Sequence, residues 1–219
     1  MFHAIFFDMD GVTIDSEPQW HESERELMAE HGYEWQESDQ IACLGGPLWR
    51  VGDYMARKVG SEKSGAWFTE ALIEKQISKM KSGTDVLPGV APLIASFRSF
   101  GIPIALVSAS PRSIMNAALT GGIHELFDFT ISSDDVEKTK PDPEPYLTAA
   151  RQAGVDIAHS LVIEDSFTGI SSGKSAGAYV LAVPHFIDVV EEERLKVAST
   201  LVGMTAEKAY SLFIEPLSA

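Results

Sequence analysis

The sequence predicts an α/β protein with a Rossmann-like parallel sheet core and an inserted all-helical cap. Three observations predict it. A short apolar strand, Ala4 to Phe7, stops abruptly at Asp8-Met9-Asp10-Gly11; residues 16 to 83 carry only helical patterns; and from Leu87-Pro88-Gly89 onward helices alternate with short apolar strands. A parallel strand buried on both faces cannot stand alone, so the first strand needs the later ones as neighbours. Residues 1–15 and 84–219 are therefore expected to form one α/β core, with residues 16–83 as the cap inserted into it.

Taken in order, the strand at residues 4 to 7 comes first. A helix follows, capped by Asp15 or Ser16, with Pro18 in its first turn and Gly32 at its end. Trp20, Leu27 and Met28 give it an apolar stripe, and the run His21-Glu-Ser-Glu-Arg-Glu26 reads as a solvated face. A Gly45-Gly46-Pro47 turn precedes helices near 49–59, ended by Gly60, and near 66–81, ended by Gly83. Strands are expected at Pro103 to Val107, Phe129 to Ser132, Leu161 to Ile163 and Tyr179 to Val183. Both junctions of the insert fall beside the Asp8, Asp10 pair, which places it to act as a lid.

Charge restricts the partners. The 219 residues carry a formal net charge of −15, which repels nucleic acid and anionic membrane surfaces. A small anionic substrate would then imply a divalent cation at its site. Cys43 is the one cysteine, which excludes an intrachain disulfide and reads as a small buried hydrophobe. The N-terminus lacks the pattern of a signal peptide and no run approaches the ~20 apolar residues of a membrane helix, so cytoplasmic residence is expected; a monomer is expected as well.

The chemistry-bearing residues collect at strand ends. Alternate residues of an extended chain point the same way, so Asp8 and Asp10 can face one pocket, at the carboxyl end of a strand where α/β sheets bind ligands. A calcium loop is a poor match, because its glycine belongs at the sixth position and Gly11 stands at the fourth. Ser108, in Val107-Ser-Ala-Ser110, offers a hydroxyl and nearby backbone N–H groups to an anion; Ser108 or Ser110 could also simply cap the next helix. Lys140 sits in a proline-stiffened loop that can project it inward, although a surface position is the default for such a lysine. Glu164 and Asp165 end another strand; with Asp8 and Asp10 they would repel one another unless a cation lay between them, and the oxygen-rich set suits Mg²⁺. Gly169-Ile-Ser-Ser-Gly-Lys-Ser175 is a residue short of a P-loop and reads instead as a helix packed closely on the sheet, with Lys174 exposed.

These four motifs, in this order, resemble the haloacid dehalogenase superfamily. With Asp15-Ser-Glu-Pro-Gln-Trp20, Ser108-Ala-Ser-Pro111 and Lys140-Pro-Asp-Pro143, the chain is most similar to its C1-capped bacterial sugar-phosphate phosphatases, those related to 2-deoxyglucose-6-phosphatase. The resemblance implies an Mg²⁺-dependent phosphomonoester hydrolase acting on a small phosphorylated metabolite. Asp8 would be the nucleophile, forming an aspartyl-phosphate, and Asp10 the general acid and base. Mg²⁺ would be held by Asp8, the Asp10 carbonyl and Asp165, with Glu164 close by; Ser108 and the Ala109 amide would hold the phosphoryl group and Lys140 would balance its charge. From the cap, Glu17, Trp20 and Arg50 are the candidates for substrate contact. The related β-phosphoglucomutases carry a histidine where Trp20 stands, which weakens the alternative of a phosphotransferase; a non-catalytic phosphometabolite-binding protein is the other alternative.

Overall fold

The structure is a computed structural model, and it describes residues 1–43, 47–60, 62–185 and 187–214. Gly45 and Gly46 of the expected turn lie outside the described residues.

A single sheet holds β1 (Ile5–Phe7), β2 (Ile104–Val107), β3 (Phe129–Ile131), β4 (Leu161–Glu164), β5 (Tyr179–Ala182) and β6 (Leu195–Val197). Its order is β3-β2-β1-β4-β5-β6, and each neighbouring pair is parallel. β1, β2 and β5 read as unbroken apolar runs because both faces of the sheet are covered there. Ile5, Phe7, Ile104, Leu106 and Ile163 face one cluster, built with α5 (Val90–Arg98), α6 (Arg112–Ala118) and α9 (Ala206–Ser211). Phe6, Ala105, Val107, Val162 and Val180 face the other, with α7 (Glu144–Ala153) and α8 (Phe167–Ala176).

Between β1 and β2 the chain forms α1 (Glu17–Glu30), α2 (Glu37–Cys43), α3 (Leu48–Val59) and α4 (Gly65–Met80). Leu27, Met28, Trp35, Val51, Met55, Phe68 and Leu72 make a hydrophobic cluster of their own there. The segments that lead in and out run side by side: Ile14 bridges Val86, the Asp15 amide donates to the Asp85 carbonyl, and the Leu87 amide donates to the Thr13 carbonyl. Among the described residues no helix is long and apolar enough to cross a membrane.

Two expectations need correction. Ser16 occupies the N-cap position of α1 but makes no capping bond, because its hydroxyl turns instead to Asp10. The run 21–26 is not wholly solvated: Ser23 and Glu24 are buried on the inner side of α1, where Ser23 donates to Gln76 of α4 at 2.8 Å. Neither α2 nor β6 was anticipated from pattern.

Candidate active site

In the observed order the connections run one way from β1 through β2 to β3, then cross back over β1 to β4. The switch between β1 and β4 is where an open α/β sheet forms a crevice at its carboxyl end. Register sets the depth of that crevice. Phe7 pairs with Leu106 on one side and Ile163 on the other, so the next residues, Asp8, Val107 and Glu164, end level.

Lys140 joins all three strand ends. Its ammonium donates to Asp8 Oδ1 at 2.6 Å, to the Val107 carbonyl at 2.7 Å and to Glu164 Oε1 at 2.6 Å, which uses all three of its protons. It is only 4% exposed, so the surface position that is the default for a lysine is not the one it takes. Burial works against its charge, but Asp8 and Glu164 outweigh that and hold its pKa above the ordinary lysine range. The Lys140–Pro141 peptide is cis.

Asp8 is buried, and its carboxyl is pushed up to about 7 by that burial and by Glu164, with Lys140 pulling the other way. Its backbone is fixed on both sides: the amide donates to Ile163 and the carbonyl accepts from the Thr13 hydroxyl. Glu164 accepts from Lys140 and from the Tyr146 phenol, 2.7 Å away, on one oxygen, and from Ser166 and the Asp165 amide on the other. Asp165 is raised well above the usual carboxylate range by burial and by Asp8 and Glu164. Ligand oxygens of Asp8, Glu164 and Asp165 lie within 4.8 Å of one another. A Cβ at Gly11, whose φ is 73°, would collide with the Asp165 carboxylate, so glycine there is needed both for the turn and for the close approach.

Asp10 is held differently. Its Oδ1 accepts from the Ser16 hydroxyl at 2.5 Å and from the Trp20 indole N–H at 3.1 Å, and its Oδ2 accepts from the Ser110 hydroxyl at 3.1 Å. Ser110 is thus neither a helix cap nor an expected partner; α6 begins after Pro111 with no side-chain cap. The Ser108 oxygen accepts from the Ser110 amide at 3.0 Å, which leaves its own proton for an anion.

These groups line a cavity of about 440 Å³ between the sheet and the α1–α4 segment. From the core come Asp8, Asp10, Ser108, Ala109, Lys140 and Asp165; from the other side come Glu17, Trp20 and Arg50, as expected, together with Glu24 and Gln40, which were not. Arg50 also donates to the Ala42 carbonyl at 2.9 Å, so its guanidinium is tethered at the wall. The sequence did hold a signal for Glu24. Glu17, Trp20 and Glu24 are spaced i, i+3, i+7, one face of a helix, and a face that starts beside Asp10 leads into the site.

Known proteins match this chain along most of its length. A family model described as haloacid dehalogenase-like hydrolase matches residues 5–183. The chain belongs to that hydrolase family. Hexitol phosphatase B of Escherichia coli (strain K12) is 33% identical over 184 residues, covering 83% of each chain. Fructose-1-phosphate phosphatase YqaB of the same organism is 27% identical over 177 residues, covering 80% of this chain and 93% of its own. The crystal structure of β-phosphoglucomutase from Clostridium difficile superposes with a TM-score of 0.83 at 24% identity, covering 97% of both chains, and shows the shared haloacid dehalogenase fold.

Proposed function

We propose that this haloacid dehalogenase-like enzyme is an Mg²⁺-dependent phosphomonoester hydrolase of small phosphorylated metabolites, sugar phosphates in particular, working through an aspartyl-phosphate on Asp8. The observation that carries the reading is the pairing of a buried Asp8, clamped by Lys140, with a second aspartate that three donors hold beside the same cavity. The phosphatase names of the curated relatives support it.

The residues present fit the cation. Asp8, Glu164 and Asp165 bring three acidic groups within 4.8 Å of one another against one lysine, a balance that favours a divalent ion. Asp8, Asp165 and the Asp10 carbonyl would hold it. Glu164, already supplied with donors by Lys140, Tyr146 and Ser166, would stand beside it. When bound, the ion offsets charge on the phosphoryl oxygens.

Asp8 attacks phosphorus, the bond from phosphorus to the leaving oxygen breaks, and Asp10 gives its proton to the departing alkoxide. Asp10 then takes a proton from water as the water oxygen attacks the phosphorus, releasing inorganic phosphate and restoring Asp8. The Ser108 hydroxyl and the Ala109 amide donate to the phosphoryl oxygens, and Lys140 fixes the direction of Asp8. We include in the proposal that residues 16–83 act as a cap, since Trp20 and Ser16 carry its first helix onto Asp10. The proposal also takes the enzyme to be cytoplasmic and monomeric.

Trp20 favours hydrolysis over phosphotransfer. An indole N–H only donates, so it can orient Asp10 but cannot exchange a proton with a sugar hydroxyl. With MgCl₂, the enzyme should release phosphate from p-nitrophenyl phosphate and from hexose and hexitol monophosphates. Given β-glucose 1-phosphate and a sugar bisphosphate primer, phosphate should appear faster than the 6-phosphate isomer. Faster isomer formation would reverse the assignment to a phosphotransferase.

A further inference from the structure

Glu24 has no part in the chemistry just described, yet it is built into the same cavity. It is 4% exposed, lines the cavity from α1, and its Oε2 has no hydrogen-bond partner among the described residues. A buried carboxyl oxygen without a partner pays its desolvation cost with nothing in return, so an unexplained one at a cavity wall points to something that fills it. Its carboxyl is pushed up to about 8, first by burial and also by Glu17, with the Trp35 indole and the Gln40 amide pulling the other way.

Its place follows from α1. Trp20, one turn earlier, reaches Asp10 with its indole, so Glu24 lies ~6 Å farther along the helix axis, on the same face. A leaving group attached at the Asp8 end would have to extend several atoms to meet it. Gln40 shares this wall: its carbonyl accepts from the Trp35 indole N–H at 3.2 Å, and its amide is turned toward Glu24. Around them stand Leu48, Val51 and Cys43, which suit the carbon side of a chain.

We propose that Glu24, with Gln40 beside it, hydrogen-bonds a hydroxyl of the leaving group, making the enzyme selective for monophosphate esters of polyhydroxylated carbon chains. The inference rests on the phosphatase reading. Two competing ligand chemistries fit less well. An ammonium would meet the Arg50 guanidinium on the same wall, and a second phosphate would be drawn by Arg50 but repelled by Glu17 and Glu24.

The test compares five esters with MgCl₂: a hexitol 6-phosphate, hexyl phosphate, phosphoethanolamine, fructose 1,6-bisphosphate and p-nitrophenyl phosphate. The wild-type enzyme should prefer the hexitol ester over hexyl phosphate by about 10-fold or more in kcat/KM, the worth of a hydrogen bond of roughly 1.4 kcal/mol. Glu24→Leu should erase that preference, chiefly through KM, while p-nitrophenyl phosphate turnover changes little; Glu24→Gln, which keeps a donor and an acceptor, should recover most of it. Equal use of hexitol and hexyl esters by the wild type overturns the proposal even if the leucine variant fails to fold. So does a loss in Glu24→Leu shared equally by p-nitrophenyl phosphate, or a preference for phosphoethanolamine or the bisphosphate. Release of phosphate from none of the five esters would instead overturn the phosphatase reading, and this inference with it.

Discussion

Two aspartates a residue apart have the same side chain, and their surroundings differ in a way that fits the two roles proposed for them. Asp8 is gripped by an ammonium and pressed by other acids, which suits a nucleophile whose charge must be held in place. Asp10 has hydroxyl and indole donors and, among the described residues, no cation, which suits a group that must pass a proton in both directions. Under the proposed mechanism Asp8→Asn should therefore abolish turnover of every ester, since no phosphoenzyme could form. Asp10→Asn keeps its backbone carbonyl and removes only proton transfer, a role worth typically ~10²- to 10⁴-fold. That loss should depend on the leaving group. A phenoxide needs little protonation, so p-nitrophenyl phosphate should still phosphorylate the Asp10→Asn enzyme, whereas a hexose phosphate should barely react. Rapid-quench labelling checks both, and phosphoenzyme on Asp8→Asn but never on Asp10→Asn would interchange the two roles.

At the scale of elements, the site depends on how closely α8 approaches β4. A Cβ at Gly169 would run into the Glu164 carboxyl, and one at Gly173 would come within 3.1 Å of Val162 and Val180. Gly169→Ala should consequently displace Glu164, release its hold on Lys140 and Tyr146, and lower kcat far more than KM. It should also cost about 1–3 kcal/mol of stability, as expected for overpacking. A variant with wild-type kcat and melting temperature would show that Glu164 can move without consequence. The close packing of this helix was legible in its Gly and Ser spacing, as were the apolar strands of the central sheet and the acids and serine at their ends. What escaped has a common cause. β6 is a three-residue strand at the sheet edge with Lys196 at its middle, and α2 buries only Asp39 and Cys43, so neither leaves a periodic trace. The hydrogen bond from Ser110 to Asp10 spans 100 residues of chain. Local pattern cannot carry information that only tertiary contact creates.

The whole molecule carries a formal charge of −15, and its candidate site concentrates acids still further. Folding therefore drives Asp8, Glu164 and Asp165 together against Lys140 alone, at a cost that a bound divalent cation would offset. Mg²⁺ should then act on stability as well as on rate. A ligand at one hundred times its Kd adds ~2.7 kcal/mol to the folded state, which for a chain of this size corresponds to a rise in Tm of roughly 5–10 °C. Excess chelator should remove that rise together with activity. Asp165→Asn sharpens the prediction, because it removes one acid from the repelling group and one ligand from the cation. In chelator the variant should melt above the wild type, whose Asp165 is pushed up by burial and by its acidic neighbours. In saturating MgCl₂ the order should reverse, as the wild type gains the cation and the variant gains little of it. Thermal melts of both proteins under both conditions decide the matter. Curves that keep the same order with and without Mg²⁺ would mean that Asp165 does not help to hold the ion.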